Sequence, residues 1–311
     1  MLLFVLFTGF NCLDVFPASK AKVEEKIQQL NFNEQDVDEY TKLHRAILAG
    51  SYEEVKALIF SGVKIHTKNS LALAIKSKNI EIEALLQIHI DLLHKAWAGD
   101  FKDVMVALSS GVFVDVKDEV GQTLLWHATS QKKEDIVQLL LAKKANPDVQ
   151  SDDGTAPLHM AAYFRDIAIV TLLLNAKANP NIQDVRRQTP LHQAAYSSYF
   201  DSYKTCSIFF EKGTHPEHVN CQNVVKLLLK KGANPDIQDE SENTPLHTAV
   251  IYATHEEKMS VVQQLVDAGA DKALRNNLGH TALGHAQSYY FAVRRWRTDE
   301  GLSQLIALLQ D

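Results

Sequence analysis

Cysteine is scarce in this chain: Cys12, Cys206 and Cys221 are the only thiols in 311 residues. Three so scattered cannot build a disulfide framework, and they suit a reducing compartment at least as well as an oxidising one. Glycine, at 13 residues, is far too rare for a collagen-like chain, and a hydrophobic content of 46% excludes a disordered one. Basic residues are also short. Lysine and arginine number 32 against 38 acidic residues, a net charge of −6, which argues against a nucleic-acid binder. Long apolar runs are missing: "MLLFVLFTGF" at the start falls far below the roughly 20 residues that span a bilayer, and no other segment approaches that length. No stable membrane span is therefore expected. The chain also lacks a phosphate-binding glycine loop, a nucleophile elbow and a metalloprotease helix motif, so neither an enzyme nor a cofactor is expected.

The apolar start has signal-peptide length, and Ser19 to Ala21 offer small residues at a cleavage position, which makes export one reading. No lysine or arginine precedes the run, however, and Asn11, Asp14 and Pro17 make a poor approach to a cut. These features favour an intracellular, cytoplasmic protein whose N-terminus packs or anchors locally. Beyond it, "SKAKVEEKIQQL" sets Val23, Ile27 and Leu30 on one helical face, as a short capping helix would.

What the chain has in abundance is self-similarity. The segment "NTPLHTAV" from Asn243 recurs as "QTPLHQAA" from Gln188, "TAPLHMAA" from Thr155, "QTLLWHAT" from Gln122 and "HTALGHAQ" from His280. Weaker copies are "TKLHRAIL" from Thr41, "SLALAIKS" from Ser70 and "DLLHKAWA" from Asp91. Matched positions run His44, Ala72, His94, Trp126, His159, His192, His247 and Gly284, in steps of 28, 22, 32, 33, 33, 55 and 37 residues. The undisturbed period is thus 33, which is a solenoid period. A second block, such as "NVVKLLLKKGANPDIQD", follows each first block with apolar residues at helical spacing. Each unit reads as short helix, turn, second helix, then a stretch that cannot continue a helix.

With its Thr-Pro-Leu-His start, 33-residue period and Gly-Ala-Asn-Pro-Asp tail, the chain resembles the ankyrin repeat family over roughly residues 38 to 310, most strongly from Thr123 to Gly279. The resemblance implies an all-α ankyrin-repeat solenoid of stacked helix-turn-helix units joined by β-hairpin-like loops. The domain plan is an N-terminal segment over 1–37 and a repeat domain over 38–311, with about eight repeats, the first three degenerate. At each start, proline has a preset φ and no donor to leave unpaired, and the preceding threonine caps orphan N–H groups. Thr189 with Pro190 and Thr244 with Pro245 therefore begin helices, and Leu191 and Leu246 point into the core. The resemblance further implies that His159, His192 and His247 link the threonine region to backbone of the adjacent repeat, a structural rather than catalytic role.

Departures from the pattern carry their own expectations. Lys144 and Lys177 stand where the family prefers a left-handed glycine, at an expected cost of about 1 kcal/mol each if the backbone is unchanged. Arg187 and Glu242 replace the hairpin glycine kept at Gly121, Gly154 and Gly279, so those two tips are expected to be less regular. The step of 55 marks 22 extra residues, an insertion at about 198–223 between the two helices of one repeat. Cys206, His215, His218 and Cys221 within it are of zinc-ligand type, but their spacing matches no zinc module, and no metal is expected there. Near the far end, "RRWR" from Arg294 to Arg297 reads as a solvated turn.

The resemblance implies a partner-binding surface lined by first helices, with hairpin tips beside it. Positions four and five after the histidine then face a partner protein and include Tyr163, Phe164, Tyr196, Tyr252 and Tyr289. Tyrosine combines apolar area with a polar tip, which suits an interface. Asp152, Asp153, Arg186 and Glu240 at the tips complete the candidate site. The function expected is a monomeric, non-enzymatic scaffold for another protein; the alternative is a metal-binding or metal-sensing module built on the Cys/His insertion.

Overall fold

The computed structural model describes residues 42–65, 67–98, 101–109, 112–196, 216–251, 256–293 and 299–310. The apolar run and capping helix expected before residue 38, most of the insertion, including Cys206 and His215, Tyr252 and the Arg294–Arg297 run lie outside the described residues. Two compact units divide the chain, one ending at Val120 and the other beginning at Gly121.

In the first unit, α1 (Lys42–Leu48) pairs with α2 (Tyr52–Phe60), and α3 (Thr67–Lys76) with α4 (Ile80–Ala98), which in turn packs on α5 (Phe101–Ser109). Helix α4 departs from the sequence pattern. The copy beginning at Asp91 does not start a helix of its own but continues the second helix of the preceding copy without a break. The reason is local: no glycine or proline separates "IEIEALLQIHI" from "DLLHKAWA", and Asp91, at the position of the capping threonines, instead accepts from the Gln87 amide one turn back, so the helical hydrogen-bond ladder runs through. The step of 22 is therefore a lost hairpin. His94, matched to the linking histidines, is exposed on this helix, while His89 is buried five residues earlier.

The second unit repeats one pair five times: α6 (Leu124–Ser130) with α7 (Glu134–Ala142), α8 (Pro157–Tyr163) with α9 (Ile167–Asn175), α10 (Pro190–Ala195) with α11 (Pro216–Lys230), α12 (Pro245–Ile251) with α13 (Glu256–Asp267), and α14 (Ala282–Val293) with α15 (Asp299–Gln310). First helices pack on first helices and second on second along the whole unit. The starts are built as their residues dictate. Thr123 accepts from Trp126 N–H, Thr189 from His192 N–H, and Asp166 caps α9 through Ile169 N–H. Pro157, Pro190 and Pro245 open their helices, and Leu158, Leu191 and Leu246 behind them are fully buried. Second helices bury Ile136, Val137 and Leu140, then Ile169, Val170 and Leu173, then Val224, Val225 and Leu228, one apolar face per layer. Helix α11 extends back into the expected insertion, so residues 216–223 are helical.

Among the described residues there is no strand; the connecting loops contain isolated bridges, Lys64 with Lys117 and Arg275 with Thr281. Lys144 (φ 65°) and Lys177 (φ 67°) do adopt the left-handed conformation, as do Gly232 and Gly269 at the matching positions. The closing bonds are also shared: Ala145 N–H reaches Leu140 O, and Ala233 N–H reaches Leu228 O. At the tips the expected irregularity is absent. Arg187 (φ 59°) and Glu242 (φ 57°) take the glycine conformation and make the same turn bonds, to Asp184 O and Asp239 O, that Gly154 makes to Ser151 O.

Candidate functional site

Each linking histidine is held from two sides. His192 Nε2 lies 3.0 Å from Asn243 O, and its Nδ1 lies 3.1 Å from Thr189 N and 2.9 Å from Thr189 Oγ1. A carbonyl only accepts, so Nε2 carries the proton and Nδ1 receives the threonine donors. His247 repeats this with His280 O at 3.0 Å and Thr244 Oγ1 at 2.9 Å, and His159 with Gln188 O at 2.9 Å and Ala156 N at 3.1 Å. In every case the accepting carbonyl belongs to the residue just before the threonine that precedes the next repeat's first helix, Thr189, Thr244 or Thr281. The 22 extra residues turn a separation of 29, for His159, into one of 51, for His192, without disturbing the contact. Burial lowers the basicity of all three imidazoles, and the carbonyl hydrogen bonds only partly offset it. A neutral, fully bonded, buried imidazole is poorly suited to proton transfer.

The tips form a continuous edge. Val185 N–H donates to Asp153 O, Glu240 N–H to Arg186 O and Asn277 N–H to Ser241 O, linking successive hairpins. Gln150 and Gln238 add side-chain bonds to Gln183 O and Arg275 O of the following repeat. Asp184 and Asp239 hold their own turns by accepting two backbone N–H groups each, at residues 186 and 188 and at 241 and 243. Sequence reasoning missed these residues; their recurrence five positions before Thr189 and Thr244, the threonines that start the helices, was the available signal.

Of the candidate charges, Asp152, Arg186 and Glu240 are exposed at this edge. Asp153 is exposed too, yet its carboxylate turns inward, accepting from Ser151 Oγ at 2.6 Å, from Thr155 N at 3.0 Å and from Thr155 Oγ1. Partial burial pushes its pKa up, but these bonds outweigh that and leave the carboxyl below its ordinary value. Asp153 thus serves the turn.

The candidate aromatics fall at first-helix ends. Tyr163 closes α8 and Phe164 caps it, their rings edge to face at 5.4 Å. Lys132 of the preceding repeat places its ammonium 5.2 Å from the Phe164 ring centre, a cation–π contact absent from the sequence reading. Tyr196 leaves α10 in an extended conformation (ψ 121°) and is 39% exposed. Tyr289 lies half-buried on α14. The structure brings Tyr163, Phe164 and Lys132 together. Within the insertion, Cys221 and His218 share α11, and the Cys221 thiol is directed at Ala194 O, 3.1 Å away.

The family model for ankyrin repeats, in three copies, matches residues 92–184, 125–220 and 217–295. The chain is similar to an ankyrin repeat protein of Rickettsia bellii, 36% identical over 219 residues that cover 70% of this chain and 47% of that protein. It is also similar to an ankyrin repeat protein of Acanthamoeba polyphaga mimivirus, 26% identical over 169 residues, covering 48% of this chain and 22% of that one. A further match, 32% identical over 136 residues, is to an L-asparaginase of Dirofilaria immitis and covers 38% of this chain and 23% of that enzyme. The chain spans less than half the length of each of these relatives.

Proposed function

Because the chain belongs to the ankyrin repeat family, whose members generally mediate protein–protein interaction and are typically non-enzymatic, we propose that its second unit binds a partner protein across the first-helix ends and the adjoining hairpin tips. The observation that carries this reading is the pair Tyr163 and Tyr196, each four residues after its repeat's histidine, with Phe164 beside the first and Tyr196 39% exposed at a helix end. Tyr163 and Phe164 are half-buried, so part of each ring also remains open to solvent. These rings offer area that a partner can desolvate, and tyrosines at interface centres are common energetic anchors. Tyr289 extends the row to the last repeat, and Tyr252 occupies the equivalent sequence position between them.

Asp152, Arg186 and Glu240 flank the rings and orient the partner, acting chiefly on association rate and its salt dependence. Asp153 is left out of this set because its carboxylate holds the turn. Stacked repeats present such a surface without rearrangement, so little ordering cost opposes binding. The test starts from proximity labelling in the native cell to identify the partner. Its affinity is then measured for Tyr163→Ala, Tyr196→Ala and Tyr289→Ala chains with unchanged melting. At least one of the first two should lose roughly 2 kcal/mol of binding; parental affinity in all three removes the first-helix ends as the site.

A further inference from the structure

Among the described residues, six of the seven non-glycine residues at positive φ are lysine or arginine. Two of them, Lys144 and Lys177, match Gly232 and Gly269 of later repeats, where an added Cβ would meet nothing within 4 Å. Space is therefore free at this position, and glycine is the relaxed choice for its backbone. Lysine stands there instead, and it has company. Lys143 precedes Lys144 after α7, while Lys230 and Lys231 close α11, so three consecutive second helices end in exposed lysines. Helices α7, α9 and α11 pack side by side, and the Lys231 ammonium crosses to Asn175 Oδ1 of the preceding repeat at 3.0 Å.

No described carboxylate forms an ion pair with any of the five; the described ion pair joins Lys95 and Asp103. Asp148 and Asp236, in the loops that follow, are engaged instead by Asn179 and Asp271 N–H of the next repeats. The row ends at the fourth repeat, which carries Asp267, Ala268 and Gly269. A cation at a helix C-terminus gains from the helix dipole, but by no more than the left-handed backbone costs a side chain. Stability thus gives no preference for lysine over glycine. Strain retained at matched positions, beneath charges with no carboxylate partner on a chain of net charge −6, points to recognition.

We propose that this lysine edge docks an acidic segment of a partner protein, whose carboxylates meet the ammonium groups repeat by repeat. The inference takes from the preceding section only that the partner is a protein, and it does not need the aromatic surface. Packed helices lie about 8–10 Å apart, which matches about three residues of extended chain or about two turns of helix. Nucleic acid fits less well because no aromatic or arginine in the row offers a stacking face. A membrane would meet the net negative field of the whole chain.

The experiment uses the full chain and a fluorescein-labelled oligo-glutamate peptide, read by anisotropy at low and at high salt. Binding should appear at low salt and vanish at high salt. Combining Lys144→Gly with Lys177→Gly should raise the melting temperature yet weaken binding about three- to tenfold, two opposite changes that a purely structural lysine would not produce. Tyr163→Ala with Tyr196→Ala should bind the peptide like the parent, which separates this edge from the aromatic surface. Lys102→Gln, an exposed lysine of the first unit, should also bind like the parent. Parental affinity in the double glycine variant, equal weakening by Lys102→Gln, or no binding by the parent overturns the proposal. So does tighter, lysine-dependent binding of an RNA oligomer or of phosphatidylserine vesicles.

Discussion

At His192 and His247 the neutral ring is bonded through both nitrogens, so adding a proton removes an acceptor as well as placing charge in a desolvated site. Burial lowers their folded-state pKa from the ordinary 6.5. An unfolded chain then takes up protons first as pH falls, and stability drops below about pH 6.5 while staying flat above it. Thermal melts at pH 7.5 and 5.5 should show this loss. His192→Ala should melt lower at pH 7.5, by about 1 to 3 kcal/mol of stability, and should show a smaller gap between the two pH values; an unchanged gap would mean that other groups carry the acid response. Glycine offers a second test at this scale. At Gly154 an added Cβ would lie 2.5 Å from Val185 N, whereas at Gly279, with the same φ of 75°, it would meet nothing. Gly279→Ala should therefore cost only the left-handed strain, about 1 kcal/mol, and Gly154→Ala clearly more. Equal denaturation midpoints for the two would sink the close-approach argument.

Helix α4 is the element in which two copies of the repeat merge. If residues 91–98 began a new helix, as their likeness to the Thr-Pro-Leu-His starts implies, proline at Leu92 would sit at a first helical position and be tolerated. Within one helix from Ile80 to Ala98 it removes a ladder bond and strikes the carbonyl four residues back. Leu92 is buried, so Leu92→Ala must serve as the reference for lost packing. Leu92→Pro should be less stable than that reference by about 3 kcal/mol in urea unfolding; similar values would restore the hairpin. The regular elements of the second unit were legible because threonine, proline and leucine each do one local job there. Continuity of α4 was not, since a weak repeat match hides the missing stop signal. The left-handed Arg187 and Glu242 also evaded the pattern, because the Asp184 and Asp239 carboxylates complete those turns whatever side chain follows.

Across the whole chain, each repeat of the second unit buries its faces only against neighbours, so removing an outer layer exposes the one beneath. Deleting Leu302 through Asp311 strips the buried Leu305 and Leu309 from α15, which covers α13 and α14. The truncated chain should aggregate in size-exclusion chromatography; a soluble monomer would show that α13 and α14 need no cover. Sequence alone determined the period, the helix starts, the apolar faces and the identity of the linking histidines, because these depend on contacts within a turn or two of helix and recur every 33 residues. Only the tertiary structure decided which carbonyl each histidine reaches, how Asp153 turns into its own tip, and that Lys132 lies over Phe164 of the next repeat. It also aligned the lysines that end α7, α9 and α11 along one edge. Such pairings join residues tens of positions apart, and their geometry follows from how neighbouring layers pack, which no local pattern encodes.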